Sequence, residues 1–153
     1  MANSYSQLGI HFVTAVKHRR CLVLPEWRPR IEAEMRSDIE ARGHHLLKVH
    51  MQPDHVHAFI SMNPRDSVSN LAAAWKSQSS GFIARNLEPD FSYQRGYGAF
   101  AISKSDWPAV KRYIRNQDAH HVDLTFRQEY TDMLERHGVD YDPKYLFEDV
   151  YVG

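Results

Sequence analysis

The hydrophobic and polar positions change period several times along the chain, which predicts short strands separated by helices. A period of two residues is typical of a half-buried strand, and a period near 3.6 residues is typical of an amphipathic helix. Four runs rich in β-branched and aromatic residues predict strands over residues 8–16, 45–51, 55–62 and 97–103. Apolar residues at helical spacing predict helices over residues 26–42, 67–86 and 125–137, and another that opens at Ser105 and carries Gln117.

Turn and capping residues support these boundaries. Pro53 and Asp54 form a turn pair, which predicts that the second and third strands make an antiparallel hairpin. Gly43 is predicted to stop the first helix, and Ser67 to cap the second. Ser105 is predicted to cap the helix that follows the fourth strand.

The predicted element order is β-α-β-β-α-β-α-α. Its first six elements match the ferredoxin-like plan, in which a four-stranded antiparallel sheet carries two helices on one face. We therefore predict an α+β protein with a ferredoxin-like β-α-β-β-α-β antiparallel sheet and additional C-terminal helices. Residues 1–153 are expected to form a single domain with an acidic, aromatic tail at 139–153. The open sheet face, or the cleft between the sheet and the last helices, is expected to receive a ligand.

The composition adds limits on the class of protein. A chain of 153 residues, with 42% hydrophobic and 25% charged residues, is ordinary for a globular domain with one core. No apolar run approaches the length of a membrane span, and the N-terminus lacks the pattern of a secretory signal. Cys21 is the only cysteine, so no internal disulfide can form. These features predict a cytoplasmic protein with no membrane partner.

The net charge is zero, but the charges are unevenly distributed. Residues 1–124 carry an excess of Lys and Arg, and residues 125–153 carry an excess of Asp and Glu. A phosphate backbone responds to local basic patches more than to the sum of all charges. On charge alone, ordinary solvated surface is the better explanation of these residues.

The pair His55 and His57 carries the strongest chemical signal. Side chains alternate along a strand, so both imidazoles point to one face and Val56 to the other. Two such imidazoles form half of a divalent-metal site, although two histidines on a solvated face remain an alternative. The zinc-deaminase and zincin signatures are absent, and Phe59 stands where a histidine-triad hydrolase would have its third histidine.

A second pair, Tyr113 and Gln117, is spaced four residues apart and therefore shares one helical face. A metal ion and neighbouring cations would stabilise the phenolate of Tyr113 and lower its pKa. The amide oxygen of Gln117 is a hard ligand that suits a divalent ion. The two pairs together suggest metal-assisted attack by a tyrosine on a phosphodiester.

Three linked motifs resemble the single-tyrosine HUH transposases of small, IS200-like bacterial insertion sequences, in which U is a hydrophobic residue. The motifs are PDHVH at residues 53–57, QRGYGAF at residues 94–100 and YIRNQ at residues 113–117, the last of them followed by His120 and His121. The resemblance extends over roughly residues 5–148. It implies that His55, His57 and Gln117 hold a divalent metal ion, Mg²⁺ by expectation with Mn²⁺ as the alternative. It also implies that Tyr113 is the nucleophile and forms a 5′-phosphotyrosine.

The resemblance further implies a DNA transposase that acts on single-stranded DNA, at the hairpin ends of a mobile element. Because one tyrosine serves one DNA end, it implies a homodimer. The covalent link conserves bond energy, so no ATP is required. The residues expected to contact DNA phosphates are Lys17, Arg19, Arg20, Lys76, Arg95 and Arg112.

Two other functions remain open on the sequence. The same site could nick and reseal plasmid DNA, as a replication initiator or relaxase does. The chain could instead be a non-catalytic ferredoxin-like module that stacks nucleic-acid bases on sheet aromatics. Such a module would have no use for a metal ion or for Tyr113.

Overall fold

The structure is a computed structural model that describes residues 5–121 and 124–147. The described residues form four strands in one antiparallel sheet: β1 Gly9–Ala15, β2 His45–Met51, β3 His55–Ser61 and β4 Gly98–Ile102. The strand order is β2-β3-β1-β4. The predicted α+β, ferredoxin-like arrangement is confirmed, and the hairpin of β2 and β3 forms where it was predicted. Part of the predicted tail, residues 148–153, lies outside the described residues.

The described residues also form five α-helices: α1 Arg28–Ala41, α2 Val68–Asn86, α3 Trp107–Arg115, α4 Gln117–His120 and α5 Phe126–Arg136. The predicted cap of α2 is confirmed, because the Ser67 hydroxyl accepts a hydrogen bond from the Asn70 N–H at 3.0 Å. Across residues 5–121 and 124–147, no helix has both the length and the apolar character needed to cross a bilayer.

Two predictions about the helix after β4 are wrong. Ser105 does not cap it, because Lys104–Asp106 form a 3₁₀ turn and α3 begins only at Trp107. The helix is also not continuous through Gln117. It is interrupted at Asn116, whose φ of −95° and ψ of 21° lie outside the helical region. Gln117 is therefore the first residue of a separate short helix.

One face of the sheet forms the larger hydrophobic core with α1 and α2. Val56, Ala58 and Ile60 of β3 point into it, together with Ile31 of α1 and Trp75 of α2, and all five are fully buried. Burying a large apolar side chain contributes about 1.5–3 kcal/mol. This layer therefore supplies much of the stability and fixes the orientation of β3.

The other face of the sheet is covered by α3 and α5. Phe100 of β4 packs with Tyr130 and Met133 of α5. Phe59 of β3 packs against Trp107 of α3, with ring centroids 5.5 Å apart. Of the two ligand positions expected from the sequence, the structure thus provides a cleft under the last helices rather than an open sheet face.

Two glycines allow these helices to approach the sheet closely. A Cβ on Gly9 would lie 2.5 Å from Nε1 of Trp107, and a Cβ on Gly98 would lie 2.9 Å from Cε1 of Tyr130. Both distances are shorter than packed side chains tolerate. The positions of α3 and α5 above the sheet therefore depend on the absence of side chains at these residues.

Candidate active site

Strands β1 and β3 place three imidazoles on the face that the C-terminal helices cover. His55 and His57 point together to that face, as the alternation of β3 predicted. His11 of β1 lies diagonally across the strand pair, and its Nε2 is 2.9 Å from Nδ1 of His57. None of the three is more than 3% exposed. The alternative of histidines on a solvated strand face is therefore wrong.

Tyr113 and Gln117 close the site from above. The ring centroid of Tyr113 lies 5.9 Å from that of His57, and Oε1 of Gln117 is 3.3 Å from Nε2 of His55. Gln117 is buried, whereas Tyr113 is half-buried. The structure thus brings the four residues of the predicted metal site and nucleophile together within a single chain.

The carboxylate of Glu129 lies at the centre of this group, and the sequence analysis missed it. Its Oε1 is 3.1 Å from Nε2 of His57 and 3.2 Å from Nε2 of His121. The same oxygen is 3.4 Å from Nε2 of His55. Since the Glu129 side chain is only 1% exposed, this charge is held by the protein rather than by water.

The second carboxylate oxygen of Glu129 faces the proposed nucleophile. Oε2 accepts hydrogen bonds from the Tyr113 hydroxyl and, at 2.8 Å, from Nε2 of Gln117. Helix α5 presents this carboxylate from its first turn. A capping box fixes that turn, because Thr125 Oγ1 accepts the Gln128 N–H and Gln128 Oε1 accepts the Thr125 N–H.

A sequence signal for Glu129 does exist. It lies within the predicted helix over residues 125–137, on the same buried stripe as Phe126, Tyr130 and Met133. Glutamate is seldom fully buried unless it is paired. A carboxylate on an apolar stripe therefore indicates a partner, although the sequence alone does not identify which one.

His121, directly after α4, is the other residue that joins the site. Its Nε2 is 3.0 Å from Oε1 of Gln117, and its Nδ1 is 2.7 Å from the carbonyl oxygen of Leu124. His120 and His121 both follow the YIRNQ motif in the sequence, and the structure gives them different neighbours. His120 instead stacks on the Tyr113 ring, with centroids 4.7 Å apart.

Neighbouring groups hold His55 in its orientation. Its Nδ1 lies 2.7 Å from Oδ1 of Asp54, the turn residue that precedes β3. Its ring stacks on Phe126 with centroids 3.8 Å apart and an interplanar angle of 7°. Asp54 is therefore both a turn residue and the group that directs Nε2 of His55 into the site.

The pKa values of Glu129 and Tyr113 shift in opposite directions. Burial alone would raise the pKa of Glu129, but hydrogen bonds from the surrounding imidazoles hold it well below its usual range. Burial and the adjacent carboxylate raise the pKa of Tyr113 above its ordinary value. The charge that faces the Tyr113 hydroxyl is the anion of Glu129, which disfavours the phenolate, so the expected lowering of the Tyr113 pKa depends on a bound metal ion.

The pKa values of the three imidazoles shift in different directions. Burial opposes the protonation of His55, but the carboxylates of Asp54 and Glu129 outweigh it and raise the pKa of that ring. Burial lowers the pKa values of His57 and His11, and each ring lies close to another imidazole. His57 and His11 therefore favour the neutral form, which is the form that binds metals.

The donor atoms fit a divalent ion. At metal–ligand distances of about 2.1 Å, adjacent ligands of an octahedral ion lie about 3 Å apart. The 3.3 Å between Nε2 of His55 and Oε1 of Gln117 is close to that spacing. A second set, formed by His55, His121 and Glu129, places one ligand atom from each residue within 4.8 Å of the others. Both sets combine nitrogen and oxygen donors, a combination that suits first-row divalent ions.

A cleft of about 260 Å³ leads from the surface to Tyr113. His11 and Tyr113 lie in its wall, and Arg136 and His137 of the α5 end line it as well. Arg136 is exposed and carries a positive charge at this opening. The cleft therefore offers an anionic ligand a route to the hydroxyl of Tyr113.

The six predicted DNA contacts are spread over three places. Lys17, Arg19 and Arg20 follow β1, Lys76 and Arg95 line a cavity of about 390 Å³ beside α2, and Arg112 is exposed on α3. Lys76 and Arg19 show contacts of such cations with the protein itself. The Lys76 ammonium donates to the carbonyl oxygens of Gln94 and Arg95, at 2.8 and 2.9 Å. The Arg19 guanidinium lies 4.8 Å from the centre of the Phe147 ring.

Known proteins share this fold. One is a crystallised candidate transposase from Deinococcus radiodurans R1, which superposes with a TM-score of 0.62 at 19% identity, over 76% of this chain and 95% of that one. Another is a REP-associated tyrosine transposase bound to a REP hairpin, with a TM-score of 0.59 at 16% identity, over 79% of this chain and 73% of that one.

Sequence comparison gives the family. The ISDra2 transposase TnpA of Deinococcus radiodurans is 23% identical over 118 residues, which covers 72% of this chain and 84% of the relative. Residues 4–117 match the family described as IS200-like transposases, a segment that includes β1 through the first residue of α4. The chain therefore belongs to the IS200-like transposase family.

Proposed function

We propose that this transposase cleaves single-stranded DNA and transfers the cut strand through a covalent 5′-phosphotyrosine on Tyr113. The observation that carries the proposal is the convergence of Tyr113, His55, His57 and Gln117 on one buried site within one chain. A nucleophile beside a potential metal site is an arrangement that suits phosphodiester transfer. A non-catalytic nucleic-acid module gives no reason for this arrangement.

The proton of Tyr113 has a defined acceptor. The hydroxyl donates to Oε2 of Glu129, so the carboxylate is placed to receive that proton as the oxygen attacks. A bond forms between Oη of Tyr113 and phosphorus while the bond from phosphorus to O3′ breaks, and O3′ takes a proton from water. In the second step, a DNA 3′-hydroxyl attacks the phosphotyrosine, and the phenol recovers its proton.

His55, His57 and Gln117 are the proposed ligands of a divalent ion, with Mg²⁺ expected and Mn²⁺ as the alternative. When bound, such an ion polarises the scissile phosphate and offsets the charge that develops on its oxygens. The protein contributes the orientation of the donors. Asp54 directs the ring of His55, and His11 contacts the far side of the His57 ring.

The proposed substrate is a single strand with hairpin ends. The structural relative bound to a REP hairpin favours this class of DNA. The cleft beside Tyr113 gives a phosphate access to the site, with Arg136 at its opening. Joining two DNA ends requires two tyrosines, so we also propose a homodimer in which each chain supplies its own complete site.

The test is a search for a covalent adduct. The full chain is incubated with labelled single strands that carry the genomic sequences flanking its gene, with Mg²⁺ or Mn²⁺, and then denatured. We expect a labelled protein band that needs the divalent ion and that maps to Tyr113 by peptide mass spectrometry. The duplex form of the same DNA should give none. Tight DNA binding without any adduct would instead support the non-catalytic module, and nicking of supercoiled plasmid would support the relaxase-like alternative.

A further inference from the structure

Two imidazoles in the site have one nitrogen committed to an oxygen acceptor. Nδ1 of His55 faces the Asp54 carboxylate at 2.7 Å, and Nδ1 of His121 faces the Leu124 carbonyl at 2.7 Å. Carbonyls and ionised carboxylates accept hydrogen bonds but donate none. Each Nδ1 must therefore carry the proton of its ring, and in the neutral ring each Nε2 presents a lone pair.

Both of these Nε2 atoms point at oxygens. Nε2 of Gln117 donates to Glu129, so the amide orientation is fixed and Oε1 of Gln117 faces the imidazoles. That oxygen lies 3.0 Å from Nε2 of His121 and 3.3 Å from Nε2 of His55. Oε1 of Glu129 lies 3.2 and 3.4 Å from the same two nitrogens.

Four electron-donating atoms thus face one another in a buried space. Such a group is stable only when a cation lies among the donors, either as protons on the imidazoles or as a metal ion. The fixed orientation of both rings by oxygen acceptors is the arrangement that metal-binding histidines show. Of the two residues, Glu129 also comes from a part of the chain outside these sequence motifs, whereas His121 follows the third one.

We propose that His121 and Glu129 are metal ligands in this chain, in addition to His55, and bind through Nε2 and Oε1 respectively. This inference rests on the metal site of the proposed function and enlarges its donor set. The set becomes richer in imidazole and gains a formal negative charge. Imidazole nitrogen favours later first-row ions, whereas Mg²⁺ prefers oxygen ligands and retains its waters. This site should therefore bind Mn²⁺ and Co²⁺ more tightly than Mg²⁺.

A consequence for the nucleophile follows from the two oxygens of Glu129. Oε1 faces the proposed ligand nitrogens, and Oε2 accepts the Tyr113 hydroxyl and the Gln117 amide. One side chain on α5 therefore links the metal site to the proton of the tyrosine. Glu129 would hold the tyrosine in place relative to the ion and keep its proton on the side away from the ion.

The test measures metal binding to the full chain without DNA. Bound metal is first removed with a chelator. Isothermal titration calorimetry then gives the dissociation constants for Mn²⁺, Co²⁺ and Mg²⁺, and the visible spectrum of the Co²⁺ form reports which ligands surround the ion. We expect Mn²⁺ to bind at least about tenfold more tightly than Mg²⁺. Glu129→Gln and His121→Asn should each weaken Mn²⁺ binding by about tenfold or more and change the Co²⁺ spectrum.

The matched controls are Glu135→Gln, an exposed glutamate on the same helix, and His45→Ala, an imidazole that is 77% exposed. Both should bind metal as the wild type does. His121 is partly exposed, so His121→Asn keeps the test decisive if Glu129→Gln does not fold. Wild-type affinity for Mn²⁺ in either folded site variant would overturn the inference and leave the Glu129 carboxylate as a counter-ion of protonated histidines.

The inference and the proposed function can fail separately. Absence of the DNA adduct together with normal metal binding would count against the proposed function alone.

Discussion

At the residue scale, the contact between Tyr113 and Glu129 is central to the proposed reaction. Tyr113→Phe removes only the hydroxyl that donates to the carboxylate, while Glu129 keeps its contacts with Gln117 and the imidazoles. We expect the covalent adduct to disappear. The free energy of unfolding should fall by only about 1.5–3 kcal/mol, the usual effect of removing one hydrogen bond to a charged group. Denaturing gels and urea unfolding measure the two quantities.

The control for this prediction is Tyr145→Phe, because that tyrosine is 83% exposed and lies outside the site. It should form the adduct at the wild-type rate. A normal adduct yield in Tyr113→Phe, mapped to Tyr97 or Tyr130, would show that another phenol is the nucleophile.

The predicted metal ligands should differ in their importance. His57→Ala should abolish adduct formation, because its imidazole is fully buried between His11 and Glu129 and no other group replaces it. Gln117→Ala should be less severe, because water can substitute for an amide oxygen. The measurement is the adduct rate as a function of Mn²⁺ concentration, with EDTA as the zero point. Full cleavage by His57→Ala in EDTA would exclude a metal-dependent site.

These residues also show what the sequence could reveal. His55 with His57, and Tyr113 with Gln117, are close neighbours in the chain, so a local pattern places each pair on one face. Glu129 contacts His57 across 72 residues of sequence. No local period connects the two, because Glu129 lies on the predicted helix over residues 125–137 and His57 on a strand far earlier in the chain.

At the element scale, α3 is held against the sheet by the contact of Trp107 with Gly9. Gly9→Ala would place a Cβ 2.5 Å from Nε1 of that indole, whose N–H donates to the Ile102 carbonyl. The helix that carries Tyr113 would have to shift. We expect a destabilisation of about 1–3 kcal/mol, typical of an overpacked site, and a slower adduct rate.

Gly96→Ala is the matched control, because a Cβ at that position meets no atom within 4 Å. Urea unfolding of the two variants compares them directly. Equal stability of Gly9→Ala and the wild type would mean that Trp107 moves aside without cost, and that α3 is not positioned by this contact.

The elements differ in how well the sequence predicted them. The strands follow from alternation and from turn residues, both of which are local. The break between α3 and α4 does not, because Asp118 of α4 forms long-range contacts. It accepts hydrogen bonds from Arg28 at 3.0 Å and from Gln52 at 3.1 Å. These contacts attach the start of α4 to the first residue of α1 and to the turn between β2 and β3, and no local pattern in the sequence predicts them.

At the scale of the whole molecule, zero net charge is compatible with DNA binding because Lys and Arg are in excess over residues 1–124 and Asp and Glu over residues 125–153. Within the acidic region, Glu129 contacts the imidazole cluster, whereas Glu135 accepts the Tyr141 hydroxyl at 3.0 Å and Asp142 accepts the Lys144 N–H at 2.9 Å, both within the C-terminal segment. The basic residues that follow β1 are therefore the candidate phosphate contacts to test first.

The dependence of DNA binding on salt concentration tests whether the basic residues after β1 contact DNA phosphates. For single-stranded DNA, removing one phosphate contact should flatten the plot of log affinity against log salt by about 0.7. We expect Arg20→Ala and Arg19→Ala each to show this change with a hairpin oligonucleotide. Arg42→Ala is the control, because its guanidinium pairs with Asp38 at 3.0 Å on α1, and it should keep the wild-type slope. An unchanged slope and affinity in both test variants would place the DNA path elsewhere and leave Arg19 and Arg20 as ordinary surface charges.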